Sequence, residues 1–279
     1  MLLLYIFLGS LVLSLVLFPL LKRLLSQAGH YQENYRGHPA LLSVGILFIV
    51  VSIFYQSAVT LFFRNKFLAA GNASLIGTNL FILVLGVGLL GLIDDFFGET
   101  GVGGFRGHLG ALFKGRLTTG MLKAIGGGLL ALLVSAGLQS SLEWAPLVIN
   151  ALIIALTINT FNLLDLRPGR ALKIFFPLFL LSLVFSLGHP FWFFSIIFLA
   201  AALVVFPSDL AGQTMLGDVG SNVLGAVIGL ALVLLLGFTA KLVILFVLVA
   251  LHLVSEQRSL SELIESVPLL RWLDELGRR

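Results

Sequence analysis

"LIGTNLFILVLGVGLLGLIDD", residues 75–95, is the stretch on which the fold turns. Nothing from Leu75 to Ile93 carries a charge, and the run is long enough to cross the hydrocarbon of a bilayer as one helix. A helix is required there because lipid offers no partner to an unpaired peptide group. The rest of the chain has the same character. Of its 279 residues, 59% are hydrophobic and only 11% are charged, and the mean hydropathy is +1.10. A soluble domain carries about a quarter charged residues, so the composition implies an integral membrane protein.

Apolar runs closed by charges or Gly/Pro clusters predict nine spanning helices, at about 2–25, 40–63, 75–95, 119–138, 146–165, 172–188, 190–206, 220–237 and 240–256. The expected fold is an all-α, polytopic membrane bundle over residues 1–257, with no linker, repeat or low-complexity tract, followed by an amphipathic segment over 258–279. The first run is too long for a signal peptide, has no basic residue before it and offers no small-residue cleavage site, so it reads as the first span. With no cysteine, disulfides and Cys-based metal sites are excluded.

Charge sorts between the two sides of the predicted bundle. Fourteen of the 17 Lys and Arg residues fall in alternate loops and the C-terminus, leaving Arg64, Lys66 and Lys241 opposite. The positive-inside rule makes the first side cytoplasmic and puts the N-terminus outside, in the cell membrane. The net charge of +4 comes from residues scattered among loops, so it does not imply nucleic acid.

Three polar clusters then fall on the cytoplasmic side. Asp94 and Asp95 end the third span, where two acids oppose the helix dipole. They are either a solvated helix end or acids compensated by a metal or by Arg106, Lys114, Arg116 and Lys123. Neighbouring positions on a helix point about 100° apart, which gives the two carboxylates different roles. "NTFNLLDLRPGRALK", residues 159–173, repeats Asn159, Asn162 and Asp165 at i, i+3 spacing, for a polar cavity, a ligand or interhelical hydrogen bonds. Arg167, Arg170 and Lys173 follow and suit phosphate contacts or anchoring to headgroups. "TMLGDVGSNVLG", residues 214–225, sets Asp218 and Ser221 where a helix begins, for capping or for phosphate and metal. Together these oxygen ligands suit magnesium, and the neighbouring cations suit phosphoryl chemistry.

"GLIDDFFG", "NTFNLLD" and "MLGDVGSNVLG", in that order, resemble the polyprenyl-phosphate N-acetylhexosamine-1-phosphate transferases, the family of phospho-N-acetylmuramoyl-pentapeptide transferase. "ENYRGHPALLSVG", residues 33–45, looks like a degraded form of that family's Pro-x-x-Gly-Gly loop, and the loop "GHLGALFKGRLTTGMLK" is also similar. The resemblance covers roughly residues 1–256. It implies magnesium-dependent transfer of a sugar-1-phosphate from a UDP-linked donor to undecaprenyl phosphate, in cell-envelope polysaccharide or peptidoglycan synthesis, with a homodimer among the expected assemblies. On that implication Asp94 and Asp95 are catalytic, and Asp218 with Asp95 holds magnesium. Asn159, Asn162, Asp165, Arg167, Arg170, Lys173, Lys114 and Lys123 bind the lipid phosphate or the nucleotide-sugar.

The departures fall on the nucleotide side. Leu166-Arg167-Pro168-Gly169 stands where the family has Gly-x-Asp-Gly, and Met215 stands where it has an aromatic. The family's histidine-rich loop is reduced to His252, which reads as a packed residue. A non-catalytic binder of polyprenyl phosphate and a cation-coupled transporter are the competing expectations. The acids at one membrane face, away from the midplane, speak against the transporter. In "SLSELIESVPLLRWLDELGRR", Ser259 and Glu262 form a capping box, and Leu260, Leu263, Ile264 and Val267 form an apolar stripe that Pro268 breaks. This tail suits either the inner leaflet or a partner.

Overall fold

The structure, a computed structural model, describes residues 1–69, 71–98 and 104–278, excluding the side chains of 66–68, 104–106, 108 and 109. The described chain forms α1 (Leu2–Gln27), a hairpin of β1 (Tyr31–Glu33) and β2 (Pro39–Leu41), α2 (Ile46–Phe62), α3 (Arg64–Ala69) and α4 (Asn72–Phe97). There follow α5 (Gly104–Phe113), α6 (Thr119–Gly137), α7 (Trp144–Leu164), α8 (Arg170–Phe185) and α9 (Phe191–Leu210). The chain closes with α10 (Gly217–Leu235), α11 (Phe238–Ser255), α12 (Leu260–Ser266) and α13 (Pro268–Glu275). Among the described residues, α1, α4, α6, α7, α9, α10 and α11 are long and apolar enough to cross a membrane. Helices α2 and α8 fill the second and sixth predicted spans but stop at 17 and 16 residues. The protein is an all-α polytopic membrane bundle.

Two sequence expectations are corrected. The second span begins at Ile46, not near 40, because residues 39–41 are held as a strand. Tyr31, Gln32 and Glu33 pair antiparallel with Leu41, Ala40 and Pro39. Beyond the hairpin the same segment joins the loop before α10. Leu41 N–H donates to Gln213 O, Met215 N–H to Leu41 O, Val44 N–H to Met215 O and Gly45 N–H to Leu216 O, all at 2.8–3.2 Å. The sixth and seventh helices also lie apart from their expected bounds, ending at Phe185 and running on to Leu210.

Helix α10 is the axis of the bundle. Its spanning window is 78% buried, whereas α11 has none of its window buried and lies at the periphery. Glycines make that central place possible. A Cβ on Gly225 would meet the Ile158 backbone of α7 at 2.6 Å, and one on Gly91 of α4 would meet the Asp218 carbonyl at 2.5 Å. At the head of α2, a Cβ on Gly45 would stand 2.1 Å from the Gly220 Cα. Without a strong hydrophobic force between helices in lipid, such backbone approaches supply van der Waals contact that larger residues would prevent. Phe175, Phe179, Phe191 and Trp192 add a buried aromatic cluster between α8 and α9.

Candidate active site at one end of the bundle

The alternating direction of the helices brings the end of α4, the start of α6 and the start of α10 to one face, and their polar side chains meet there. Lys123, in the second turn of α6, donates from Nζ to Asp94 Oδ2 at 2.7 Å and to Asp218 Oδ2. Lysine and both acids are largely withdrawn from solvent, with side-chain exposures of 19%, 19% and 28%. Two carboxylates of like charge so close need a cation between them or a proton shared between them, and Lys123 is the cation here. Of the basic residues expected to compensate the acids, Lys123 does so. Lys114 is exposed, and the Arg106 side chain lies outside the described residues.

Asp95 turns the other way and caps a different helix. Its Oδ1 accepts from the Asp218 N–H at 2.8 Å and its Oδ2 from the Val219 N–H at 3.4 Å. These are orphan donors at the start of α10. The expectation that Asp218 or Ser221 caps α10 is therefore corrected: no side chain at the N-cap position, Leu216, does so, and the carboxylate comes from α4. Gly217, at φ +72°, leaves the opening that Asp95 enters, since a Cβ there would lie 2.4 Å from its Oδ2.

Ser43 Oγ completes the Asp95 shell, donating to Oδ2 at 2.6 Å. Because its one proton is used there, the His30 Nε2 that lies 2.9 Å from the same Oγ must be the donor in that contact. His30 stacks on Phe96 at 4.1 Å, and burial lowers its pKa below the usual imidazole value. Ser43 is the non-glycine residue among the described ones with positive φ, at 63°, a conformation that marks places where the surrounding structure over-determines the backbone.

Around this centre α7 contributes Asn162, whose Nδ2 lies 3.5 Å from Ser221 Oγ, and Asp165, which lies among the carboxylates of Asp209, Asp218 and Asp95. Asn159 is exposed and does not join them. Each i, i+3 step rotates by about 300°, so two steps carry Asn159 off the face that Asp165 occupies. Asp209, missed in the sequence, is 2% exposed and accepts the Gly169 N–H at 2.9 Å. It fastens the end of α9 to the start of α8. An acid closing the apolar run 191–208 was the signal available for it.

The basic trio expected to bind phosphate has other partners. Arg170, 2% exposed, forms a two-pronged ion pair with Asp274, Nε to Oδ1 at 2.7 Å and Nη2 to Oδ2 at 2.8 Å. Lys173 Nζ donates to the Asp274 and Leu273 carbonyls at 2.5 and 3.3 Å. Arg167 reaches Glu265 at 3.3 Å, and its guanidinium stands 4.8 Å above the Tyr35 ring. Arg36 and Arg278 flank the same ring at 5.1 and 5.8 Å. Tyr35, Arg36, His38, Pro168, Gly212 and Arg278 line a cavity of about 280 Å³. His252 packs as expected, its Nδ1 against Leu248 O at 2.7 Å.

The acceptors that converge on Lys123 are carboxylate oxygens, a set that suits a hard divalent cation meeting a phosphate. Among the described residues no group of three His, Cys, Asp or Glu side chains is arranged as a ready metal cage. Magnesium does not require one, because it keeps waters and takes one or two carboxylates beside substrate phosphates. Compared with models of known protein families and with curated proteins, the chain matches none.

Proposed function

We propose that the protein transfers a sugar-1-phosphate from a nucleotide-sugar to a polyprenyl phosphate at the cytoplasmic face of the cell membrane. The observation that carries this reading is the meeting of Asp94, Lys123 and Asp218 at the end of an apolar bundle. A lipid's phosphate emerges at that depth and a soluble donor can reach it. In the reaction an oxygen of the lipid phosphate forms a bond to the sugar-bearing phosphorus of the donor. The bridging P–O bond of the diphosphate breaks, and the nucleoside monophosphate departs.

Asp94 and Asp218 are the oxygen ligands for magnesium in this reading, and the ion supplies neutralisation of phosphate charge when bound. Asp95, already accepting from Ser43, Asp218 and Val219, moves from the reacting centre to a positioning role: it fixes α10 and hence Asp218. Lys123 holds the two acids in place and offers its ammonium to an incoming phosphate. The Tyr35 cavity, with Arg36, Arg167 and Arg278 about its ring, suits the base and diphosphate of the donor, since guanidinium groups take phosphate in two-pronged fashion. Asn162, 3.5 Å from Ser221 Oγ, and Asp165, among the carboxylates, are the α7 contribution to the acid side of the site.

One observation favours the non-catalytic reading. Arg170 and Lys173, two of the three cations that follow the Asn162–Asp165 motif, are engaged by α13 and not turned toward a ligand. Such a protein holds polyprenyl phosphate without turnover. The deciding experiment incubates the purified protein with undecaprenyl phosphate, magnesium and a panel of nucleotide-sugars. Mass spectrometry then follows released nucleoside monophosphate and lipid-linked product. Product that vanishes with EDTA and in Asp218→Ala supports the transferase. Turnover that survives Asp218→Ala overturns the mechanism. No product across the panel, with lipid phosphate still bound, replaces it with the binder.

A further inference from the structure

Helix α13 is docked with its polar side inward. Asp274 is 7% exposed and held by Arg170, Arg278 at 2.8 Å and, through Arg170 Nη1, by Ser261 at 2.8 Å. The apolar side faces outward: Leu269, Leu270, Trp272, Leu273 and Leu276 are all 44–65% exposed. On a soluble protein such a strip invites aggregation or a partner. Here its height is fixed by two tethers. Helix α11, an apolar span, ends at Ser255 and α12 begins at Leu260, so the four residues between them reach at most about 14 Å. At the other end α13 is fastened to Arg170 and Lys173, in the first turn of apolar α8.

From this arrangement we infer that α13 is an interfacial foot. It lies in the lipid–water boundary of the leaflet where α11 ends, with Leu269, Leu273 and Trp272 in the acyl region and Arg170 locking its polar side to the bundle. Phospholipid is the occupant. An eight-residue helix is about 12 Å long and presents far less than the roughly 800 Å² per partner of a standard protein interface. Exposed Arg258 and Arg271 add attraction to anionic headgroups. The inference stands apart from the transferase reading and requires only that the apolar helices span the membrane.

The chain has no cysteine, so single cysteines at Leu269, Leu273 and Glu275 take one nitroxide label each on already exposed side chains. The full-length protein is reconstituted in phosphatidylcholine–phosphatidylglycerol vesicles. Collision with oxygen is then compared, by electron paramagnetic resonance, with collision with a water-soluble nickel chelate. Labels at 269 and 273 are expected to favour oxygen, at a depth of about 5–10 Å below the headgroups, while the label at 275 favours nickel. Equal nickel access at all three positions would place the strip in water and overturn the foot. Shielding of 269 and 273 from both reagents would assign the strip to a second copy and overturn it equally.

Discussion

Lys123 holds together two acids that would otherwise repel each other. Replacing it with methionine leaves Asp94 and Asp218 facing each other in a poorly solvated place, and removing one partner of a buried ion pair costs about 3 kcal/mol or more. The Lys123→Met protein should therefore melt well below the native one in detergent. Millimolar magnesium should restore more of the melting temperature in this variant than in the native protein, because a divalent cation fits where the ammonium was. Equal response to magnesium in both would remove Asp94 and Asp218 as ligands. Asp95 illustrates what a residue's neighbours in sequence do not reveal. Adjacent aspartates announce different roles through their 100° separation, but the cap on α10 depends on a helix 123 positions away.

The crossings between elements rest on a few glycines, and the expected outcomes differ sharply among them. Gly45→Ala and Gly217→Ala each force a Cβ into an occupied place, the second also at a left-handed φ. Each should lower stability by several kcal/mol, or prevent folding, in a thermal or denaturant assay. Gly127→Ala, in α6 with open space around its new Cβ, should be neutral or gain up to about 1 kcal/mol. The docking of α13 is sensitive to pH only in acid. Burial alone would raise the Asp274 pKa, but hydrogen bonds and charge from Arg170 and Arg278 hold it at about 2. A lowered carboxyl pKa adds stability that is complete above the ordinary value near 4 and is lost as pH falls through 2, worth about 2 kcal/mol here. Limited proteolysis should thus release the C-terminal segment readily in Asp274→Asn at pH 7, and hydrogen exchange should show the native segment loosening only between pH 4 and 2.

The long helices were legible because uncharged runs of span length permit nothing else in lipid. Residues 31–33 and 39–41 were not, since three-residue strands carry no alternation to read, and the second of them is held further by the loop before α10, roughly 170 positions away. The structure brings the acids at 94–95 and 218 together, as their motifs at one membrane face allowed, whereas the partner of Arg170 and Lys173, Asp274, lies about a hundred positions downstream and leaves no local signal.

At the scale of the whole molecule, the polar end of α4 and the polar starts of α6 and α10 meet at one end of the bundle, and Arg64 and Lys241 stand beside the opposite ends of α4 and α10 in chain order. That asymmetry predicts a topology that a membrane-impermeant maleimide can read in intact cells. A cysteine placed at Arg64 should label from outside, and one at Lys114 only after the membrane is opened. Labelling of Lys114→Cys in intact cells would invert the protein and move the proposed chemistry to the outer face.

The ladder joining residues 41–45 to 213–216 carries a consequence for the order of synthesis. On the ribosome, roughly 170 residues separate the first strand of this clasp from the second, and the carboxylate that caps α10 is made about 120 residues before the helix it caps. The emerging chain must therefore insert α1 to α9 while Asp95 has no helix to cap and Lys123, already able to pair with Asp94, lacks Asp218. The exit of α10 supplies both the capped N–H groups and Asp218, so nascent chains arrested before residue 235 are expected to be degraded faster than chains released beyond it.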